Sequence, residues 1–205
     1  MDIDKIRNKL RAHKLNGGGT YHYYAVLIPL VEVEGDQHLL YEVRSENLKS
    51  QPGEVCFPGG RMEIDENPMN TAIRETCEEL GIQPDQIEIM EEIKPIITPF
   101  NVVIYVFVGR LKINSIEDLP FNPDEVKEVF TVPVAYLYDN EPEKYTVESV
   151  FNFPEDFPFH KIHNGKSYNW RNGSYDILFY EYDQRTIWGM TAKMTRNLMK
   201  ILKLC

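Results

Sequence analysis

The chain is short of cysteine, of positive charge and of long apolar runs, and each shortage removes a class of protein. Only Cys56, Cys77 and Cys205 occur among 205 residues, an odd set without paired spacing. A disulfide framework is therefore not expected, and a reducing, cytoplasmic setting is. Lys and Arg number 22 against 32 Asp and Glu, a formal net charge of −10. Such a chain lacks the basic face with which proteins displace counterions from nucleic acid, so no nucleic-acid partner is expected. A small anionic ligand stays open, although an acidic pocket needs cations to admit phosphate. No apolar stretch approaches the roughly 18 residues of a membrane span, so no membrane partner is expected either. The opening MDIDKIRNKLRAHKL is charged and amphipathic, unlike a secretory leader, and the closing KLC matches neither a peroxisomal nor an ER address. Internal repeats and low-complexity tracts are also missing.

What is present suits an ordinary globular domain: 42% hydrophobic and 26% charged residues, on a chain long enough to bury a core. Ile3, Ile6, Leu10 and Leu15 fall near helical spacing, and Gly17, Gly18 and Gly19 end that helix. The glycines make no phosphate cradle, because no strand precedes them and no Lys-Ser/Thr follows. The reading is an N-terminal helix and glycine link over 1–20, then a single domain over 21–205. Strands are expected at 23–33, 38–44, 54–57, 87–93, 102–111, 126–134 and 176–182. Helices are expected at 67–80, with Pro68 in its first turn and Gly81 just past its end, and at 186–204. Residues 139–172, rich in Pro, Asn and aromatics, take no assignment. The pattern gives a mixed α/β (α+β) domain with a mixed or antiparallel sheet between helices.

The informative stretch is GRMEIDENPMNTAIRETCEELGI, from Gly60 to Ile82. Glu75, Glu78 and Glu79 stand at i, i+3 and i+4, which gathers three carboxylates on one helix face and costs a few tenths of a kcal/mol per like-charged pair. Ala72, Thr76 and Leu80 form an opposing small-to-apolar stripe that can pack on a sheet. The helix would then aim its carboxylates into a cleft. Clustered oxygen donors suit a hard divalent cation, Mg²⁺ or Mn²⁺, although three glutamates alone more often make a solvated acidic face.

Taken whole, the stretch resembles the Nudix box, G-x5-E-x7-R-E-U-x-E-E-x-G-U, where U is usually aliphatic. The matching residues are Gly60, Glu66, Arg74, Glu75, Glu78, Glu79, Gly81 and Ile82, and Thr76 departs from the pattern at an aliphatic position. The resemblance implies the Nudix fold, an α/β/α sandwich around a mixed β-sheet, and a hydrolase that splits a diphosphate linkage in a nucleotide derivative. It implies Glu75, Glu78 and Glu79 as metal ligands, joined by the Gly60 or Gly59 carbonyl. Arg74 would pair with Glu75 and orient it, Glu66 would be a supporting carboxylate, and Gly60 and Gly81 would serve backbone shape. The reaction is expected to be cation-assisted attack of water on phosphorus, with a glutamate as base; Glu125, outside the box, is the candidate.

A second resemblance lies just upstream. Nudix enzymes that hydrolyse coenzyme A carry a signature like L-L-T-x-R-[SA]-x3-R-x3-G-x3-F-P-G-G, and here LYEVRSENLKSQPGEVCFPGG runs from Leu40. Arg44, Ser45, Gly53 and Phe57-Pro58-Gly59-Gly60 match in register, Lys49 replaces an Arg, and Tyr41 and Glu42 replace Leu and Thr. The likeness implies coenzyme A or an acyl derivative as substrate, cut to 4′-phosphopantetheine and adenosine 3′,5′-bisphosphate. Arg44, Lys49 and Arg61 are the candidates for substrate phosphate. Another nucleoside diphosphate derivative, such as ADP-ribose, and a non-catalytic nucleotide-binding module are the alternatives. His160 and His163 lack nearby Cys partners and carry no zinc reading, Cys77 is read as a packing residue, and Trp188 and the last helix's methionines as core. The aromatic stretch 145–170 is a candidate for contacting adenine or for a homodimer surface.

Overall fold

The structure, a computed structural model, describes residues 2–5 and 21–204. Residues 3–5 are helical; the rest of the expected N-terminal helix, and the glycine link, lie outside the described residues. The chain divides into two compact units, Met1–Pro133 and Val134–Cys205, a boundary inside the span expected from sequence as one domain.

The first unit is built on a seven-stranded sheet. Its strands are β1 (His22–Val33), β2 (Asp36–Arg44), β3 (Val55–Cys56), β4 (Gly59–Arg61), β5 (Ile87–Ile97), β6 (Val102–Leu111) and β7 (Val126–Pro133). The main order is β3-β2-β1-β6-β5, with β4 pairing β1 and β7 pairing β2. β1 and β6 run parallel and the remaining pairs antiparallel, so the sheet is mixed as expected. β1 is central, which explains its nearly unbroken apolar sequence: Ala25, Leu27, Ile28 and Val31 are all buried. β5 runs four residues beyond the expected 87–93. Register shifts between Ile89 and Glu91 and between Ile93 and Ile96 break the alternation that would have signalled it.

Helix α1 (Pro68–Leu80) packs on this sheet. Its Ala72 and Leu80 join Ala25, Leu27, Leu40 and Phe107 in one buried cluster. One face of β1 and β2 is thereby tied to the helix that carries the acidic box.

The second unit holds α2 (Val134–Asp139), a three-stranded antiparallel sheet of β8 (Glu143–Ser149), β9 (Gly173–Tyr182) and β10 (Arg185–Trp188), and α3 (Gly189–Lys203). The helix expected from residue 186 begins only at Gly189. Asp183 and Gln184, both at positive φ, make a two-residue hairpin that sets Ile187 opposite Tyr180, so residues 186–188 belong to a strand. The span left unassigned supplies β8 and a cluster of Phe151, Phe153, Phe157, Phe159 and Trp170. No helix of the described residues is long and apolar enough to cross a membrane.

Candidate active site

The acidic helix is fixed at both ends by local chemistry. The Asn67 side-chain oxygen accepts from the Met69 N–H at 2.9 Å, and Pro68 follows where no amide is needed. At the other end Gly81 adopts a left-handed φ of 68°, and its N–H donates to the Cys77 carbonyl at 2.9 Å. Thr76 keeps the box position buried because its Oγ1 donates to the Ala72 carbonyl at 2.6 Å, so its hydroxyl has a partner.

The three helix glutamates occupy three environments rather than one outward face. The Glu78 side chain is 55% exposed and that of Glu75 18%, while Glu79 is buried. Glu79 follows Thr76 by three residues and precedes Leu80, so the helical turn sets it beside the core stripe instead of opposite to it. Its Oε2 accepts from the Gly59 N–H at 2.8 Å. The expectation that all three carboxylates point into a cleft is thus corrected for Glu79, which is turned in beneath the helix.

Arg74 ties the outer carboxylates together. Its Nε and Nη2 donate to the two oxygens of Glu66 at 3.0 and 3.1 Å, and its Nη1 to Glu75 at 2.8 Å. Nη1 also lies 3.5 Å from Glu78. The expected Arg74–Glu75 pair is present, and Glu66 holds the guanidinium from the far side. Those bonds from Arg74 hold the Glu66 carboxyl down at about 2. Gly60 is a matter of space: a Cβ there would collide with the Glu75 carboxylate.

Beneath the helix lies a carboxylate that the box does not contain. Glu42, in the middle of β2, is fully buried. Its Oε1 accepts from the Cys56 thiol at 3.1 Å, and among the described residues its Oε2 has no hydrogen-bond partner. Burial raises the Glu42 carboxyl, and the Glu75 and Glu125 charges raise it further. Burial likewise drives Glu79 well above the usual carboxylate range, with the charges of Glu42, Glu75 and Glu125 behind it. Glu75 is raised by burial too, against the pull of Arg74. Glu78 and Glu79 also sit in the last turn of α1, the negative end of its dipole.

Glu125 reaches this group from a loop. The Asn122 N–H donates to the Glu79 carbonyl at 2.9 Å, and the Ser45 N–H to the Glu125 carbonyl at 2.8 Å. The loop is thereby stitched to both α1 and the end of β2. Arg44 is close enough to lower the Glu42 carboxyl, and its Nε lies 3.4 Å from the Ser50 carbonyl. Lys49 is exposed between β2 and β3, and Arg61 is exposed on β4, with Nη2 3.4 Å from His22 Nδ1.

The donor set fits a hard divalent cation: oxygen-rich, mutually repelling, and including one enclosed oxygen without a partner among the described residues. Glu75, Glu78, Glu79 and Gly60 are nonetheless not gathered into a ligand cage. Among the described residues no three His, Cys, Asp or Glu side chains converge as metal ligands. The reason is competition: Arg74 engages Glu75 and Glu78, and the Gly59 amide engages Glu79.

His160 and His163 are exposed, and Cys77 packs against the core as a half-buried thiol. Met194 and Met199 are core, whereas Trp188 is 40% exposed and stacks on Phe179. The residue missed from sequence is Glu42. Its signal was a charged residue among the apolar run Leu39, Leu40, Tyr41 and Val43, where the strand is buried on both faces.

Known proteins are similar to this chain over most of its length. The NUDIX domain family model matches residues 22–150. The peroxisomal coenzyme A diphosphatase NUDT7 of Mus musculus is 37% identical over 164 residues, covering 77% of this chain and 67% of that protein. Nudix hydrolase 3 of Caenorhabditis elegans is 34% identical over 190 residues, covering 87% and 72%. The mitochondrial coenzyme A diphosphatase NUDT8 of Homo sapiens is 28% identical over 209 residues, covering 98% and 80%. With a family match across more than half of its length, and Arg74, Glu75, Glu78 and Glu79 of the box on one capped helix, the chain belongs to the Nudix family.

Proposed function

We propose that the protein is a divalent-cation-dependent diphosphatase that cuts coenzyme A or an acyl derivative into 4′-phosphopantetheine and adenosine 3′,5′-bisphosphate. The observation that carries the reading is the carboxylate group of α1 and β2, with Arg44 at its edge. Glu75, Glu78 and Glu79 would hold the cation, Mg²⁺ or Mn²⁺, with the Gly60 carbonyl beside them. When bound, the cation supplies positive charge to the diphosphate and acidifies a water. Arg74 keeps Glu75 in place through its 2.8 Å bond, and Glu66 keeps Arg74 in place. Glu125, on a loop tied to α1 through Asn122 and to the end of β2 through Ser45, is the group assigned to take the proton from the attacking water.

Arg44, Lys49 and Arg61 are assigned to the substrate's phosphates. Lys49 keeps charge but not the bidentate fork of Arg. The coenzyme A assignment is supported by the match of Arg44, Ser45, Gly53 and Phe57-Pro58-Gly59-Gly60 to the subgroup signature, and by the names of two relatives. Free Cys56 and Cys77 support a reducing compartment such as the cytoplasm, while those two relatives are named for the peroxisome and the mitochondrion.

Purified protein with Mn²⁺ or Mg²⁺ is expected to release both products from coenzyme A, and Glu125→Gln to turn over at least about a hundredfold more slowly. Rapid hydrolysis of ADP-ribose with none of coenzyme A would remove the substrate assignment and keep the diphosphatase. Near-normal turnover by the Gln variant would remove Glu125 from its role.

A further inference from the structure

The box accounts for Glu75, Glu78 and Glu79, yet the most enclosed carboxylate of this region is Glu42 on β2. Strand alternation puts Glu42 on the same face as Leu40, and Leu40 belongs to the same buried cluster as Ala72 and Leu80 of α1. Tyr41, on the other face, stacks on Phe57 and Phe130. Glu42 therefore projects to the side of the sheet that carries the acidic helix.

Cys56 stands directly across the strand pair, and its thiol donates to Oε1 at 3.1 Å. Burial and the adjacent Glu42 push that thiol up, so it stays a neutral donor. Only one carboxylate oxygen is thereby satisfied. Oε2 is enclosed and has no hydrogen-bond partner among the described residues. An unmet buried polar atom is costly, and an aliphatic side chain would fill this strand position without that cost. Protonation alone does not resolve it, because an O–H at Oε2 would equally lack an acceptor. The charges that bear on Glu42 are Arg44 and the carboxylates of Glu75 and Glu125, and Glu42 in turn acts strongly on Glu79.

We propose that Glu42 Oε2 is a ligand of the divalent cation bound at the box, forming with Glu79 the inner side of its oxygen shell. This rests on the reading of the box as a cation site. The thiol bond gives Oε1 a fixed partner and leaves Oε2 for the ion, as outer hydrogen bonds orient metal ligands elsewhere. A cation between β2 and α1 joins the sheet to the helix and removes the repulsion between Glu42 and Glu79 together.

The test is Mn²⁺ binding without substrate, followed by electron paramagnetic resonance, for the unaltered protein and Glu42→Gln. Gln keeps the shape and can still accept from Cys56. Saturable binding by the unaltered protein, with a dissociation constant raised about 10- to 100-fold in the variant, supports the proposal. Binding in the variant within about twofold overturns it and leaves the box site intact. No saturable binding by the unaltered protein overturns the cation reading, and the proposal with it. If the variant fails to fold, anomalous scattering from Mn²⁺-soaked crystals of the unaltered protein decides. An ion within about 2.5 Å of Oε2 supports the proposal, and an ion on Glu75 and Glu78 with Oε2 out of reach overturns it.

Discussion

The Glu42 and Glu79 carboxyls are shifted in the opposite direction to that of Glu66, and that difference predicts how stability follows pH. Burial raises the first two in the folded state, so the folded chain binds more protons than the unfolded one as pH climbs out of the ordinary carboxylate range. Stability must then fall with rising pH through that window. Glu66, lowered by Arg74, contributes stability that is present above the unfolded value and lost only as pH drops toward about 2. Between about pH 5 and about pH 9 the cation-free protein should therefore show a falling thermal midpoint, and Glu79→Gln should flatten the slope. A midpoint that rises with pH across this window, measured in chelator, would show that the buried carboxyls do not dominate. Of these groups, Glu66, Glu75 and Glu79 were legible from the box spacing, but the inward turn of Glu79 was not. A three-glutamate pattern states which helix face is acidic, whereas the competition of Arg74 and the Gly59 amide for those oxygens depends on β4 and the preceding loop.

At the scale of the element, α1 is a helix whose two ends are more specified than its middle. Asn67, Pro68 and Gly81 announce its limits in sequence, and the structure places it at Pro68–Leu80. Gly81 carries two constraints, a left-handed φ and the Pro120 carbonyl where a Cβ would project. Gly81→Ala should cost more than the roughly 1–2 kcal/mol of a left-handed residue alone, because the Pro120 backbone must also move. Asn67→Ala should cost about 1 kcal/mol through loss of the cap. Urea titration of both variants checks the order; a Gly81→Ala cost below that of Asn67→Ala would contradict it. Elements with such punctuation were readable, and those without were not. β10 was absorbed into the helix that follows, because Ile187 continues the apolar spacing of Met190 and Met194 and only the positive φ of Asp183 and Gln184 reveals the hairpin. β8 was hidden among the prolines and aromatics of its surroundings, and most of its residues are exposed, so it lacks the apolar rhythm of β1.

For the molecule as a whole, a net charge of −10 opposes compaction, and the carboxyl groups of α1 and β2 meet a separate cost, that of ionising in one buried place. Monovalent salt and divalent cations relieve these two burdens differently. Salt contracts the Debye length from about 30 Å at 0.01 M to about 3 Å at 1 M, screening the surface but acting weakly on buried groups. A bound divalent ion acts at the enclosed oxygens and stabilises the folded state by mass action, about 2.7 kcal/mol when its concentration is a hundredfold above its dissociation constant. For a chain of this size that is a rise of about 5–10 °C in thermal midpoint. Calorimetry at matched ionic strength should therefore show MgCl₂ raising the midpoint beyond NaCl, with a saturating dependence, and Glu79→Gln should remove the excess while keeping the NaCl response. Superimposable MgCl₂ and NaCl curves would mean that the cations act only as a screening atmosphere, and the carboxylates beneath α1 would then need a partner other than a divalent ion.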